Sequence, residues 1–405
     1  LRVIMGKRLI GPHLCAIPNL KINDESSDGV ILISHSADVI NEYAPLQDLH
    51  KQISEYLSLN NGAKDSINLI AVSKSVIPSG RVVYAGTGPV GRDQDDVRTY
   101  AKTAEKAMKI ALKAGMRSPL LATIPNKRYP QAELVAALGA LQALYVPLNI
   151  REEENKVKAD NLNLLPFSKE PENFRKVIEA IESSFAVCRD IGDSDPERMA
   201  PGKVADYVST LFRNTSVKVD VLDDQAKIAA EYPMMAAVNR AANEVKEHQA
   251  RLIWLEYNPE GPIEETIMLV GKGVTIDTGG ADLKTGGHMF GMCRDKYGSA
   301  TVAGFFEALD ILKPEGIKVV GYMAMVRNSI GSHSYTTDEI IHSRSGKRIH
   351  IYNTDAEGRI TMLDPLTKMR ELAVNEKNPH LFTLATLTGH EVVSYGFYAA
   401  IMDNG

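Results

Sequence analysis

Residues 265–277, ETIMLVGKGVTID, form a long apolar run with charges only at its two ends and at one internal lysine. A strand buried on both faces needs such a run, and strands of that kind belong to parallel sheets covered by helices. SVKVDVL, RLIWLEYN, IKVVGYMAMV and LFTLATLT read as further strands, with helical stretches between several of them. The second half of the chain therefore reads as a large α/β domain with a mostly parallel central sheet flanked by helices.

The first half repeats the alternation on a smaller scale. GVILISH (29–35), RVVYAG (81–86) and PLLATIP (119–125) read as strands. Val97, Ala101, Ala104, Met108 and Ala111 recur at helical spacing before Gly115, and an Ala/Leu-rich helix is expected at 131–144. The polar stretch 149–173 suits a linker or exposed connection. A long helix is expected after it, with Phe174, Val177, Ile178, Ile181, Phe185 and Cys188 on one face. The expected organisation is a small α/β domain at 1–165, a linker and connecting helix at 166–194, and the larger α/β domain at 195–405. The chain opens on Leu1 rather than Met, so it is expected to be a trimmed or incomplete record, with the second domain incomplete at its carboxyl-terminal end.

Composition narrows the functional classes. A chain with 44% hydrophobic and 24% charged residues is of ordinary globular make-up. Its net charge of −5 argues against general nucleic-acid binding. Cys15, Cys188 and Cys293 are too few and scattered for a disulfide framework, so a reducing, cytoplasmic setting is expected. No stretch is long and apolar enough to span a bilayer as a helix.

Two segments carry chemistry. YNTDAEGRITMLDP (352–365) places Asp355 and Glu357 two apart and Arg359 two further on. Read as extended chain, it aims all three at one side. LVGKGVTIDTGGADLKTGGHMFGMCRDKYGSA (269–300) adds Lys272, Asp277, Lys284 and Asp295 at and after the carboxyl end of a strand, where open α/β sheets bind ligands. Taken singly, each charge has an ordinary reading: a solvated loop, a surface lysine, a helix cap. Four carboxylates gathered in one crevice would repel, and divalent cations are the simplest remedy. Oxygen-rich ligation without His or Cys suits Mn²⁺ or Mg²⁺, while zinc also accepts carboxylates.

These segments resemble the leucyl aminopeptidase family of dinuclear metallo-exopeptidases. NTDAEGR (353–359) matches that family's signature residue for residue, and VGKGVTIDTGG (270–280) matches its other metal-binding stretch closely. Weaker similarity extends to DPERMAPGKVADYV and to ATLTG (385–389). The resemblance implies an aminopeptidase that hydrolyses the amino-terminal residue from peptides with a free amine, by a two-metal-activated water. One metal would be held by Lys272, Asp277, Asp295 and Glu357. The other, more exchangeable, would be held by Asp277, Asp355 and Glu357. Zn²⁺ or Mn²⁺ is implied, with Mg²⁺ a further candidate at the exchangeable position. Lys284 would polarise the scissile carbonyl, and Arg359 would hold a bicarbonate as proton carrier. Met292 would line the pocket for the first side chain, and backbone groups of Leu387 and Gly389 would help seat the substrate. The family's fold is a small α/β domain joined by a helix to a larger catalytic one, usually assembled as a homohexamer.

The chain departs from the usual family text at Thr278, at RDKYGSA (294–300) and at His390, and His288 lies near Met292. None of these removes an implied ligand. A catalytically weak scaffold or regulatory binding protein of the same fold is the alternative reading. A third concerns YAGTGPVGRD, where Gly86, Gly88 and Gly91 have dinucleotide-fingerprint spacing. Pro89 removes a donor there, and the next strand offers no acidic residue for a ribose, so a tight turn into a helix is the favoured account. Asp364-Pro365 is read as a cap and first position of a new helix.

Overall fold

Parallel strands need crossover connections, and the first half of the chain supplies them as strand–helix repeats. The computed structural model describes residues 13–16, 22–154, 157–167 and 170–404. The chain divides into two compact units, Leu1–Ala186 and Val187–Gly405.

In the first unit, β1 (His13–Ala16), β2 (Val30–Ser34), β3 (Ile67–Ala71), β4 (Arg81–Gly86), β5 (Leu120–Thr123) and β6 (Asn161–Leu165) form a sheet in the order β1-β6-β5-β2-β4-β3. All neighbours are parallel except the edge strand β3, which is antiparallel to β4. Alternate side chains face opposite sides. Val30, Leu32, Val82 and Tyr84 pack with helix α1 (Gln47–Leu59), whereas Ile31, Ile33, Val83 and Ala85 pack with α2 (Arg98–Lys113) and α3 (Ala132–Leu144).

Two expectations change here. The stretch 149–173 is not a plain linker, because it contains most of α4 (Leu148–Glu154) and all of β6. Asn163 disguised the strand: it is buried, and its amide donates to Ser27 Oγ at 2.8 Å, so a polar residue is satisfied inside the sheet. The glycine loop after β4 does not open a helix directly, since α2 begins only at Arg98. Gly86 is explained by close packing, as a Cβ there would lie 2.0 Å from the Lys64 carbonyl oxygen.

Helix α5 (Pro171–Asp193) buries Phe174 and Ile178 as expected but leaves Phe185 42% exposed. In the second unit follow α6 (Pro201–Leu211), β7 (Val217–Leu222), α7 (Gln225–Glu231), α8 (Pro233–Asn239), β8 (Arg251–Tyr257), β9 (Glu265–Asp277), α9 (Tyr297–Leu312) and β10 (Ile317–Asn328). The remainder is a hairpin of β11 (Ile340–His342) and β12 (Arg348–His350), then α10 (Glu357–Ala373), β13 (Pro379–Leu384) and α11 (His390–Tyr395). The sheet order is β13-β9-β10-β8-β7. β13, β9 and β10 are parallel; β8 runs antiparallel to β10, and β7 antiparallel to β8. The alternation V-K-V-D-V in β7 marks a strand with one solvated face, as antiparallel edges have. On one side of the sheet Met268, Val270, Val320 and Tyr322 pack with α8 and α10. On the other, Gly271 lets α9 approach so closely that a Cβ would lie 2.6 Å from Ser299 Cα.

Pro365 lies inside α10 rather than starting a new helix. It forfeits one backbone bond there, while Asp364 turns its carboxylate outward from the helix. Fully buried, Asp364 accepts from Met234 N at 2.7 Å, in the first turn of α8, and from Arg344 N at 2.8 Å, beyond β11. Asp364→Ala is expected to destabilise the chain by about 2–4 kcal/mol, because two buried N–H groups lose a charged acceptor. Denaturant unfolding of parent and variant checks this; a loss of under about 0.5 kcal/mol would show that water replaces the carboxylate.

Candidate active site

The ends of β9 and β10 and the first turns of α9 and α10 meet at a group of charged residues. Lys272, inside β9, is 3% exposed; its Nζ lies 2.7 Å from Asp295 Oδ1 and 2.9 Å from Glu357 Oε1, and donates to the Thr386 carbonyl at 2.8 Å. Lys284 Nζ lies 2.8 Å from Asp277 Oδ2 and 2.5 Å from Asp355 Oδ1. Asp277, Asp355 and Glu357 each offer an oxygen within 4.8 Å of the others'. Six of the residues singled out in the sequence are thus brought together: Lys272, Asp277, Lys284, Asp295, Asp355 and Glu357.

Asp355 and Glu357 do not meet by extended chain. Asn353 caps a tight turn by accepting from Asp355 N at 2.7 Å, residues 354–356 form one 3₁₀ turn, and α10 begins at Glu357. Asn is a favoured cap, and carboxylates are favoured at a helix amino terminus, so the same residues that carry charge also start the helix. Arg359, in the first turn of α10, is exposed and has no ion pair or hydrogen bond with another described residue.

A set of polar residues that the sequence reading had not assigned holds the carboxylates in place. Asn328, at the end of β10 and fully buried, donates from Nδ2 to Asp277 Oδ1 at 2.8 Å and to the Thr354 carbonyl at 3.2 Å. Tyr335 donates to the same carbonyl at 2.8 Å. Thr354 donates through Oγ1 to the Gly279 carbonyl at 2.6 Å and accepts from Asp282 N at 2.8 Å, while Asp282 Oδ2 accepts from Thr354 N at 2.8 Å. This interlock fastens the loop after β9 to the turn before α10. Gly279 (φ +86°) is required in that loop, because a Cβ would lie 2.4 Å from the Asp282 carbonyl oxygen. An Asn ending a long apolar run at the ligand end of the sheet was a usable signal for Asn328, as was the Thr within NTDAEGR for Thr354.

The electrostatics fit a cation. Four carboxylates face two ammonium groups, which leaves a net negative charge when all are ionised. Burial raises the pKa values of Asp295, Glu357 and Asp355 above the ordinary carboxylate range, against the pull of the lysines. Burial would lower that of Lys272, but Asp295 and Glu357 reverse this and hold it above normal; Lys284 is raised likewise by Asp277 and Asp355. The two sets of shifts are compatible: each lysine is gripped by carboxylates, yet the carboxylates together remain short of positive charge. Asp295 Oδ2 and Glu357 Oε2 are buried without a hydrogen-bond partner. Buried carboxylate oxygens without a donor, on two residues that share Lys272, are what a divalent cation satisfies.

A cleft of about 450 Å³ opens beside the cluster, lined in part by Lys284, Asp355, Asn353, Leu283, His288 and Met292. Met292 and His288 therefore reach the same space as Lys284. Leu387 is 48% exposed, Gly389 directly precedes α11, and His390 is exposed. Their segment is tied to the cluster through Thr386, which donates to Asp295 Oδ1 at 2.9 Å. Of the departures from the family text, Thr278 donates to the Asn328 carbonyl at 2.9 Å. Lys296 is fully buried, and burial lowers its pKa to about 8.

The catalytic-domain model of the cytosol aminopeptidase family matches residues 186–405. A Caenorhabditis elegans protein named "Putative aminopeptidase W07G4.4" is 61% identical over 389 residues, 95% of this chain and 74% of the relative. Proteins of Helicobacter hepaticus, Persephonella marina and Prochlorococcus marinus, each named "Probable cytosol aminopeptidase", match at 33–35% identity, and of these the chain spans 46–55% of the length. Leucyl aminopeptidase from Trypanosoma brucei, solved with bestatin, has the same fold at 21% identity, with a TM-score of 0.77 over 98% of this chain and 76% of that one. The bottromycin maturation enzyme BotP, solved with Mn, also shares it at 21% identity, with a TM-score of 0.74 over 91% and 74% of the two chains.

Proposed function

The chain belongs to the cytosol aminopeptidase family, and from that premise we propose that it is a metal-dependent aminopeptidase removing the amino-terminal residue from peptides with a free amine. The observation that carries this reading is the convergence of Asp277, Asp355 and Glu357 within 4.8 Å, beside Lys284 and a cleft. Two divalent cations would be held, one by Lys272, Asp277, Asp295 and Glu357, the other by Asp277, Asp355 and Glu357. Zn²⁺ or Mn²⁺ suits the pair, and Mg²⁺ is a candidate for the second. Such cations make water acidic enough to ionise near neutral pH and draw charge from an amide carbonyl.

The chain's own residues divide the remaining tasks. Lys284, on the cleft wall, directs its ammonium at the scissile carbonyl oxygen and stabilises the charge that develops there once water is excluded. Arg359 cannot act as a base, since guanidinium stays protonated, but its fork suits a planar anion. Among the described residues it has no ion-pair or hydrogen-bond partner, which supports a bicarbonate held there. Met292 lines the space for the first side chain, with His288 beside it. Leu387 and Gly389 offer backbone groups to the peptide. By the same family reading the protein works as a homo-oligomer, a hexamer by resemblance, and its free cysteines suit the cytoplasm.

The test is release of leucine from a leucyl peptide by Mn²⁺- or Zn²⁺-loaded protein, beside the amino-acetylated peptide. The free peptide is expected to be cleaved at least ~10²-fold faster, because a site built around a free amine rejects an analogue lacking it. Equal rates would overturn the exopeptidase reading. Metal binding without turnover on many peptides would favour the scaffold alternative.

A further inference from the structure

The turn that carries Met292 and Asp295 is fixed from within by a lysine that meets carbonyls rather than carboxylates. Lys296 is 0% exposed. Its Nζ donates to the carbonyls of Ser194 at 2.8 Å, Gly192 at 3.4 Å and Cys293. An ammonium has three donors, and all three are used. Gly192 belongs to the last turn of α5, whose carbonyls lack partners within the helix and attract a cation. Cys293 lies in the turn Met292–Arg294, between the cleft residue Met292 and the carboxylate Asp295. One side chain therefore joins the end of α5 to the turn that presents both.

Its neighbours fasten the same joint. Arg294 Nε lies 3.0 Å from Asp193 Oδ1. Gly192 packs so closely on the Tyr297 ring that a Cβ would lie 2.5 Å from its Cζ. The turn itself closes by Asp295 N donating to the Met292 carbonyl at 3.2 Å, and α9 starts from the Lys296 carbonyl, which accepts from Ala300 N at 3.0 Å. A buried cation without a carboxylate is costly unless every proton is bonded, so the three carbonyls and the lysine are mutually dependent. If the lysine is lost, three carbonyls, two of them buried, lose this donor and the turn loses its anchor.

We propose that Lys296 is a positioning residue that sets the placement of Asp295 and Met292, so that metal affinity and recognition of the first side chain both depend on it. This rests on the metallopeptidase reading above. A lysine that merely stabilised the fold would lower the unfolding temperature and leave the site's constants alone.

The experiment titrates Mn²⁺ calorimetrically into metal-stripped parent chain and Lys296→Met, with circular dichroism to confirm folding and KM measured on leucyl and glycyl peptides. The expected result is a Mn²⁺ Kd weakened ~10–100-fold, as when the support of a ligand is removed. KM should rise more for the leucyl than for the glycyl peptide. A folded variant whose Kd stays within about twofold of the parent would overturn the proposal. Should Lys296→Met fail to fold, Lys296→Gln, which keeps two N–H donors without the charge, carries the same readout. A parent chain that binds no Mn²⁺ would instead overturn the metallopeptidase reading, and this inference with it.

Discussion

An Asp277→Ala chain is expected to release leucine from a leucyl peptide at least ~10³-fold more slowly than the parent, the equivalent of several kcal/mol of transition-state stabilisation. Asp277 is the carboxylate most fully committed to the site. Its Oδ1 is fixed by Gly279 N at 2.9 Å and Asn328 Nδ2 at 2.8 Å, which leaves Oδ2 to face Lys284. Removing it takes a ligand from both proposed cation positions and one of two anchors from Lys284. The fold should survive, because the lost hydrogen bonds are offset by relief of repulsion from Asp355 and Glu357. Turnover, bound metal per chain and the unfolding midpoint are the three measurements. Turnover within about tenfold of the parent, with two metals still bound, would sink the ligand assignment.

The affinity of the parent for Mn²⁺ or Zn²⁺ is expected to strengthen about tenfold per pH unit through the neutral range on account of Lys272 alone, since one proton leaves the amine for each cation it ligates. An amine with a pKa near 10.4 costs roughly 4–5 kcal/mol to deprotonate at pH 7. Here the cost is larger, because Asp295 and Glu357 hold the ammonium's pKa above normal despite burial. The sign follows: raising the pH toward that pKa removes part of the cost and tightens binding, and acid weakens it. Asp295 and Glu357, themselves raised by burial, also shed protons on metal binding at lower pH. Proton release measured calorimetrically in buffers of different ionisation heat separates the contributions. Lys272→Ala should bind more weakly at high pH and release one proton fewer. An unchanged proton count would remove Lys272 from the ligand set.

The strands were the most legible part of the molecule. RVVYAG is β4 to the residue, and ETIMLVGKGVTID is β9 to the residue. In both, apolar content and length leave few alternatives. β6 was obscured because Asn163 meets its partner Ser27 across the sheet, a pairing that no local pattern contains. The charged residues of the site were legible as well, but the backbone joining two of them was misread: Asn353 turns the chain before Glu357, so a capped helix replaces the extended segment. Asn328, Tyr335 and Asp282 act through contacts between segments far apart in the chain, and only folding brings these together.

Three glycines around Lys272 set a limit of a different kind. A Cβ at Gly358 would lie 2.6 Å from Lys272 Cε, one at Gly298 2.8 Å from Lys272 N, and one at Gly271 2.6 Å from Ser299 Cα. None carries charge or takes part in chemistry, yet each sets a distance at which β9, α9 or α10 can stand from its neighbour. In a library of random substitutions these positions should be as intolerant as the carboxylates, and for an opposite reason. Asp277 fails when a group is taken away, whereas Gly298, whose added Cβ would lie 2.1 Å from the Leu384 carbonyl oxygen, fails when a single methyl is added. For anyone redesigning the cleft, specificity can be sought at His288 or Met292, on its wall, while the spacing beneath it has no room to be renegotiated.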